Sequence, residues 1–271
     1  MPSEQRGRLS WQPAWSSWSA SLVAAGLGFL GCNALSLHVS LWPLGSYAIG
    51  FACVVAASLL VACAVPRPRR PHLLIVMLVV VVLELVRRQG AVGLGASFSV
   101  LLALLAAGSV LGALVGSGIE HPGHLLFVAL VSALADTFSV TQPEGPSAAI
   151  VQAPQVLALL ALPWPMLGTG QITPFLGVGD VLFTSLYVAA ARTHALPARR
   201  TLLALAAAYF ATMAAVLATA LPIPALPFLG FAMLIAHPAS RLPPVRDRRR
   251  GFAVVCVMVL AFGALLARRM L

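Results

Sequence analysis

Read as a pattern of apolar and polar positions, the chain is a series of long apolar runs joined by short polar links. Cut at charges, prolines and glycines, nine runs emerge, at about 18–38, 45–65, 72–86, 91–116, 123–140, 174–192, 201–220, 223–239 and 251–267. A helix needs about 20 apolar residues to cross a bilayer, so most of these runs predict spanning helices. The first follows a Trp-rich polar leader and is too long for a signal-peptide core. The third and eighth are short, and the eighth opens among Pro222, Pro224 and Pro227. The longest connection, Thr141 to Thr173, holds a further apolar piece, Val156 to Leu162, closed by Pro163 and Pro165. Too short to cross as a helix, that piece is expected to be a strand or a re-entrant element packed on the helices. In the fourth run Gly108, Gly112 and Gly116 recur at four-residue spacing. Such a stripe lets two helix backbones approach closely. No internal repeat of the inverted, transporter kind is visible. The pattern therefore predicts an all-α polytopic membrane protein of about nine transmembrane helices.

Composition strengthens this reading. Of 271 residues 60% are hydrophobic and 9% charged, with mean hydropathy +0.97, too little charge to cover a soluble globule. All 17 basic residues are Arg, opposed by seven acids, for a net charge of +10. That excess does not mark a nucleic-acid partner, because the arginines cluster between apolar runs, as in cytoplasmic loops. With the N-terminus inside, the inner side carries thirteen arginines (Arg6, Arg8, Arg67, Arg69, Arg70, Arg192, Arg199, Arg200, Arg241, Arg246, Arg248, Arg249 and Arg250) and the outer side four: Arg87, Arg88, Arg268 and Arg269. The positive-inside rule then predicts a cytoplasmic N-terminus in a cell membrane. The absence of Lys beside abundant Ala, Leu and Val points to GC-rich codon usage and a bacterial source. Cys32, Cys53, Cys63 and Cys256 lie within apolar runs and read as small buried hydrophobes, with neither a disulfide framework nor a zinc site. No cofactor is implied, since no His or Cys cluster has metal spacing and no Gly-rich loop follows a strand.

Candidate chemistry lies in the acids, because an ionisable side chain within a span costs at least about 2.5 kcal/mol on insertion scales. Glu84 has Arg87 and Arg88 three and four residues on and reads as an interfacial ion pair. Asp136, near the outer end of the fifth run, and Asp180, expected two turns into the sixth, have no such partner. Antiparallel helices joined by the 141–173 connection would bring both to similar depth. Two facing carboxylates share one proton and titrate as a unit, so one can activate water while the other protonates a carbonyl oxygen. Gly177 and Gly179 beside Asp180 are expected to permit unwinding, close approach and access of water. Other polar and aromatic residues read as structural: His237 as an interfacial anchor, Tyr187 and Tyr209 as packing, and Trp11, Trp15 and Trp18 as an interfacial belt.

Three motifs in order make the combination specific: Asp136 followed by Pro143-Glu144-Gly145-Pro146, then Gly177-Val178-Gly179-Asp180, then Pro224-Ala225-Leu226. In this order they resemble the Gly-x-Gly-Asp intramembrane aspartyl proteases, the presenilin and signal peptide peptidase family, over roughly 123–239. The resemblance implies that Asp136 and Asp180 are catalytic, that Gly177 and Gly179 support the site, and that Pro224, Ala225 and Leu226 hold substrate. It departs from the family at Ala135, where a Tyr is usual, and in having four helices before the first Asp and one after the Pro-Ala-Leu helix.

The expectation is thus an intramembrane aspartic endopeptidase, its site between the fifth, sixth and eighth helices. Residues 1–122 would form a scaffold, 123–239 the catalytic helices, and 240–271 a basic loop and C-terminal helix. Its partners would be the lipid bilayer and substrates that are single-span membrane proteins or signal peptides. One alternative is a type IV prepilin peptidase, which shares Gly-x-Gly-Asp but usually carries Lys soon after it and lacks Pro-Ala-Leu. Another is a proton- or cation-coupled carrier with the aspartates as relays.

Overall fold

The computed structural model describes residues 15–66, 72–88, 93–142 and 145–270; Trp11, Pro143, Glu144, Arg6, Arg8, Arg67, Arg69 and Arg70 lie outside them. Every apolar run contains a helix: α1 (Trp15–Ser36), α2 (Pro43–Ala64), α3 (His72–Arg88), α4 (Leu94–Ser117), α5 (Leu125–Thr141), α8 (Val178–Thr193), α9 (Ala198–Thr219), α10 (Leu226–Ala236) and α11 (Val245–Met270). The long connection adds α6 (Pro146–Gln152), α7 (Pro154–Leu160) and an antiparallel hairpin of β1 (Ala161–Pro165) with β2 (Ile172–Gly177). The protein is a helical, multi-pass membrane protein by length and apolarity of its helices.

Five helical stretches among the described residues are long and apolar enough to cross a membrane: Ser17–Ser36, Pro43–Ala64, Leu94–Ser117, Pro122–Thr141 and Ala198–Thr219. Three of the remaining four runs hold helices shorter than the sequence expectation of a span, for physical reasons. Helix α3 has 17 residues and ends in Arg87 and Arg88, which both bind Glu84, at 2.6 and 2.9 Å. In the sixth run, residues 172–177 are strand, so α8 has only 16 residues and Asp180 sits in its first turn, not two turns in. Pro222 and Pro224 keep the start of the eighth run out of helix, leaving the 11 residues of α10. Helix α11 has 26 residues, and Arg246, Arg248, Arg249 and Arg250 precede the apolar run that opens at Gly251.

The chain divides into two compact units, Met1–Ser117 with Val151–Ala189 and Gly118–Ile150 with Ala190–Leu271, the cuts falling within α6 and α8. In the first unit α4 packs against α1, α2, α3 and β1. The glycine stripe receives α8: a Cβ at Gly108 would lie 3.0 Å from Val181 Cγ1, and one at Gly112 or Gly116 would overlap the carbonyl oxygen of Leu182 or Leu186. The stripe therefore brings α8 onto α4 at backbone contact, as small residues do in membranes. The piece read as strand or re-entrant is both α7 and β1; β1 is buried throughout, and Trp164 on it meets Phe29 edge-on at 5.8 Å.

In the second unit α10 packs between α5 and α9. Helix α11 runs in the same direction as α5, with Phe127 on Phe252 at 5.4 Å and Phe138 stacked on Phe262 at 4.4 Å. Tyr187 and Tyr209 are fully buried, in the first and second units respectively. His237 is not an interfacial anchor: it is buried, its Nε2 3.0 Å from Thr201 Oγ1, tying the end of α10 to the start of α9. Trp18 is likewise buried and no part of an interfacial belt.

Substituting Gly112 by Leu should lower the thermal unfolding midpoint of the purified protein, by the equivalent of about 1–3 kcal/mol for overpacking. Gly263→Leu, where an added Cβ meets nothing within 4 Å, should leave it unchanged. Equal midpoints for the two variants would show that α4 and α8 are not held at backbone contact.

Candidate functional site

The second unit contributes Asp136. Its helix α5 enters through a 3-10 turn at Pro122–His124 and carries Asp136 in its fourth turn, half-buried between exposed Ala135 and Thr137. What meets this carboxylate is backbone from a segment 90 residues away: the Leu226 amide donates to Asp136 Oδ2 at 2.9 Å, and the Ala225 amide also reaches it. The local sequence explains why these amides are free. Helix α9 ends at Thr219 on a left-handed Ala220 (φ +54°), and Pro222 and Pro224 then prevent a helix until Leu226. An α-helix leaves its first four amides without intrahelical partners, and the N-terminal residue of α10 has no side-chain cap. Asp136 fills that role from another helix, at the helix end where negative charge is favoured.

The exit from α5 is also fixed. Ser139 Oγ accepts from the Ser147 amide at 2.9 Å and lies 2.7 Å from its hydroxyl. At Gly145 any Cβ would overlap the Ser139 carbonyl, so only glycine lets the chain fold back there. Pro146 then opens α6.

The first unit contributes Asp180, Gly177 and Gly179. Strand β2 ends at Gly177 and runs straight into α8, whose third residue is Asp180. The Gly177 amide donates to Asp180 Oδ2 at 3.0 Å. An acid at the third helical position reaching back to the amide before the helix is half of a capping box, which accounts for the abrupt change from strand to helix. The expected close helix approach is not found at the two glycines. Neither has a positive φ, and neither meets another helix: a Cβ at Gly177 would lie 3.6 Å from Asp180 Oδ2, and one at Gly179 would meet nothing within 4 Å. They leave the first turn of α8 bare. The close helix approach sits instead at Gly108, Gly112 and Gly116, on the opposite partner of α8.

The structure therefore brings Asp136 together with Ala225 and Leu226, and Asp180 together with Gly177, each within its own unit. Pro224, half-buried, precedes the contact and sets the break that frees it. Sequence reasoning missed the capping role of Asp180, although an acid three residues after a Gly at a strand end is its usual signature. It also missed a cavity of about 650 Å³ in the first unit, lined by residues that include Asn33, Ser97, Leu157, Pro163 and Pro174. Among the described residues no group of three or more His, Cys, Asp or Glu could hold a metal ion. Compared with protein families, with curated proteins and with solved structures, the chain matches none.

The Leu226 contact makes a distinction between variants. Asp136→Asn keeps an acceptor oxygen and should unfold near the wild-type midpoint, whereas Asp136→Ala strands the Leu226 amide and should lose about 1–3 kcal/mol. Thermal unfolding in detergent reads the difference; identical midpoints for Asn and Ala would contradict the contact.

Proposed function

We propose that the protein is an intramembrane aspartic endopeptidase that hydrolyses peptide bonds within transmembrane segments of its substrates. The observation that carries the reading is the hydrogen bond from Leu226 of Pro224-Ala225-Leu226 to Asp136, because it joins two of the three motifs of the resemblance across 90 residues of chain. The third motif supplies Asp180 at the bare start of a helix.

In this reading Asp136 and Asp180 act as a dyad. One carboxylate takes a proton from water as its oxygen bonds to the scissile carbonyl carbon, while the other, protonated, gives its proton to the carbonyl oxygen. The tetrahedral intermediate then breaks its C–N bond, the amine leaves with a proton from the dyad, and a new carboxylate terminus forms. Water and one peptide bond are consumed, and no cofactor enters.

A helical substrate bond is shielded by side chains and held by intrahelical hydrogen bonds, so the substrate has to unwind. Strand β2 supports this step: the hairpin is two-stranded, and β2 runs directly into Gly177. Its outer ladder groups suit an extended peptide, in the manner of strand addition. Gly179, open beside Asp180, leaves room for the peptide backbone. Helix-weakening Gly, Ser or Pro near the scissile bond should favour cleavage.

Purified wild-type protein incubated with labelled single-span substrates should yield new termini within the span. Asp136→Asn and Asp180→Asn should each reduce turnover at least about a thousandfold, in line with loss of an acid–base group plus the nucleophile it activates. Near-wild-type turnover by either variant would remove the protease reading.

The arginine distribution gives the proposal a direction. If the N-terminus is cytoplasmic and each of the nine runs crosses the bilayer, α5 runs outward and α8 inward, the arrangement of signal peptide peptidases and the inverse of presenilin. Substrates should then be spans whose own N-terminus faces the cytoplasm. Two reporters carrying one apolar span in opposite orientations should be cleaved unequally in cells, in favour of the cytoplasmic N-terminus. Equal cleavage would contradict the orientation.

A further inference from the structure

We propose that the arginine-rich end of the second unit is a docking surface for the headgroups of anionic phospholipids. Four contacts gather this end from separate elements. Thr201 at the start of α9 meets His237 at the end of α10, and His124 Nε2 meets Asp247 Oδ2 of α11 at 3.1 Å. Gly123 packs against the backbone of Leu242 and Pro243, and Arg241 Nε donates to the Leu234 carbonyl at 2.6 Å. Around these contacts seven arginines are exposed: Arg199, Arg200, Arg241, Arg246, Arg248, Arg249 and Arg250. The acids of the same end are Glu120 and Asp247, and none of the seven arginines is held in an ion pair among the described residues.

Arg241 caps the end of α10 and Arg248 Nε donates to the Pro243 carbonyl, but helix stability does not account for the placement of the others. Arg199 and Arg200 stand in the first turn of α9, and Arg246, Arg248, Arg249 and Arg250 within the first six residues of α11. Cations at a helix N-terminus oppose the helix dipole. Guanidinium groups gathered in one place, at helix ends that already carry partial positive charge, attract an external anion. Phosphate suits it, since a guanidinium binds two phosphate oxygens at once.

The apolar surroundings identify the source of that phosphate. Leu242 and Val245 are exposed among the arginines, and Leu203 and Phe252 are exposed just beyond Arg200 and Arg250. Exposed apolar residues beside a basic rim, at the mouth of helices that enter a bilayer, place the rim at headgroup depth. There each arginine contributes to attraction for anionic lipid within a Debye length. This inference does not rest on the proposed protease activity.

The test uses the full chain with Leu242→Trp as reporter, in mixed micelles containing brominated phosphatidylglycerol or brominated phosphatidylcholine. The quenching gained over the protein lacking that Trp should half-saturate at a mole fraction at least about fivefold lower for phosphatidylglycerol, and 0.5 M salt should narrow the difference. Arg246→Gln/Arg249→Gln/Arg250→Gln in the reporter background should abolish the preference. The Lys triple at these positions should keep part of it, and the Gln variant should unfold at the wild-type midpoint. Equal quenching by both lipids, or a preference unchanged by the Gln triple, would overturn the proposal. So would displacement of the lipid by millimolar inorganic phosphate, or by an oligonucleotide.

Discussion

A carboxylate buried in an apolar fold has to be met by hydrogen-bond donors, and here the donor in each unit is a backbone amide released where a helix begins. Asp136 receives the Leu226 amide because Pro222 and Pro224 delay α10, and Asp180 receives the Gly177 amide because β2 gives way abruptly to α8. The same constraint works in reverse. Non-helical backbone at membrane depth survives only where protein satisfies it, so each broken segment depends on its acid as much as the acid on the segment. Removing the Asp136 carboxylate takes from the Leu226 amide the acceptor that it has in this structure.

Packing fixes these two arrangements from behind. In the first unit Gly108, Gly112 and Gly116 let α8 lie on α4 at backbone distance, which holds the helix that starts at Asp180. In the second, α10 is clamped between α5 and α9 and carries the fully buried Leu229 and Met233. Helix α11 braces α5 through Phe252 and Phe262, on residues Phe127 and Phe138. Phe138 is two positions from Asp136 and so points to a different face of α5. The acid is left to face α10.

How much of this was legible depended on the range of the interaction. Apolar length reads directly, and each of the nine runs holds a helix; the four-residue glycine spacing on α4 reads as a helix contact because its geometry is local to one helix. Helix starts were less legible. The start of the run at 174–192 is apolar up to Asp180, and hydropathy does not distinguish a short strand from helix, so the sequence merges β2 with α8 and sets Asp180 too deep. Close helix approach was expected at Gly177 and Gly179 because a glycine beside an acid looks alike whether it admits a helix or leaves space. His237 and Trp18 are amphipathic residues that suit an interface, and only tertiary packing reveals them as buried. The Asp136–Leu226 contact spans 90 residues, and only the order of motifs, not any local pattern, hinted at it.

The proposed protease function requires Asp136 and Asp180 to operate as one dyad, and proximity in the folded protein tests that proposal most directly. In a background with Cys32, Cys53, Cys63 and Cys256 replaced by Ala, Asp136→Cys and Asp180→Cys would be combined and treated with a short bis-methanethiosulfonate reagent. A protease site inserted in the 141–173 connection then reports whether the two fragments stay joined. The pair Asp136→Cys and Leu226→Cys serves as a positive control, since those residues are in hydrogen-bonded contact. The account predicts that the Asp136/Asp180 pair joins the fragments as fully as the control, while either single cysteine leaves them separate. A control pair that joins beside an Asp136/Asp180 pair that does not would contradict it.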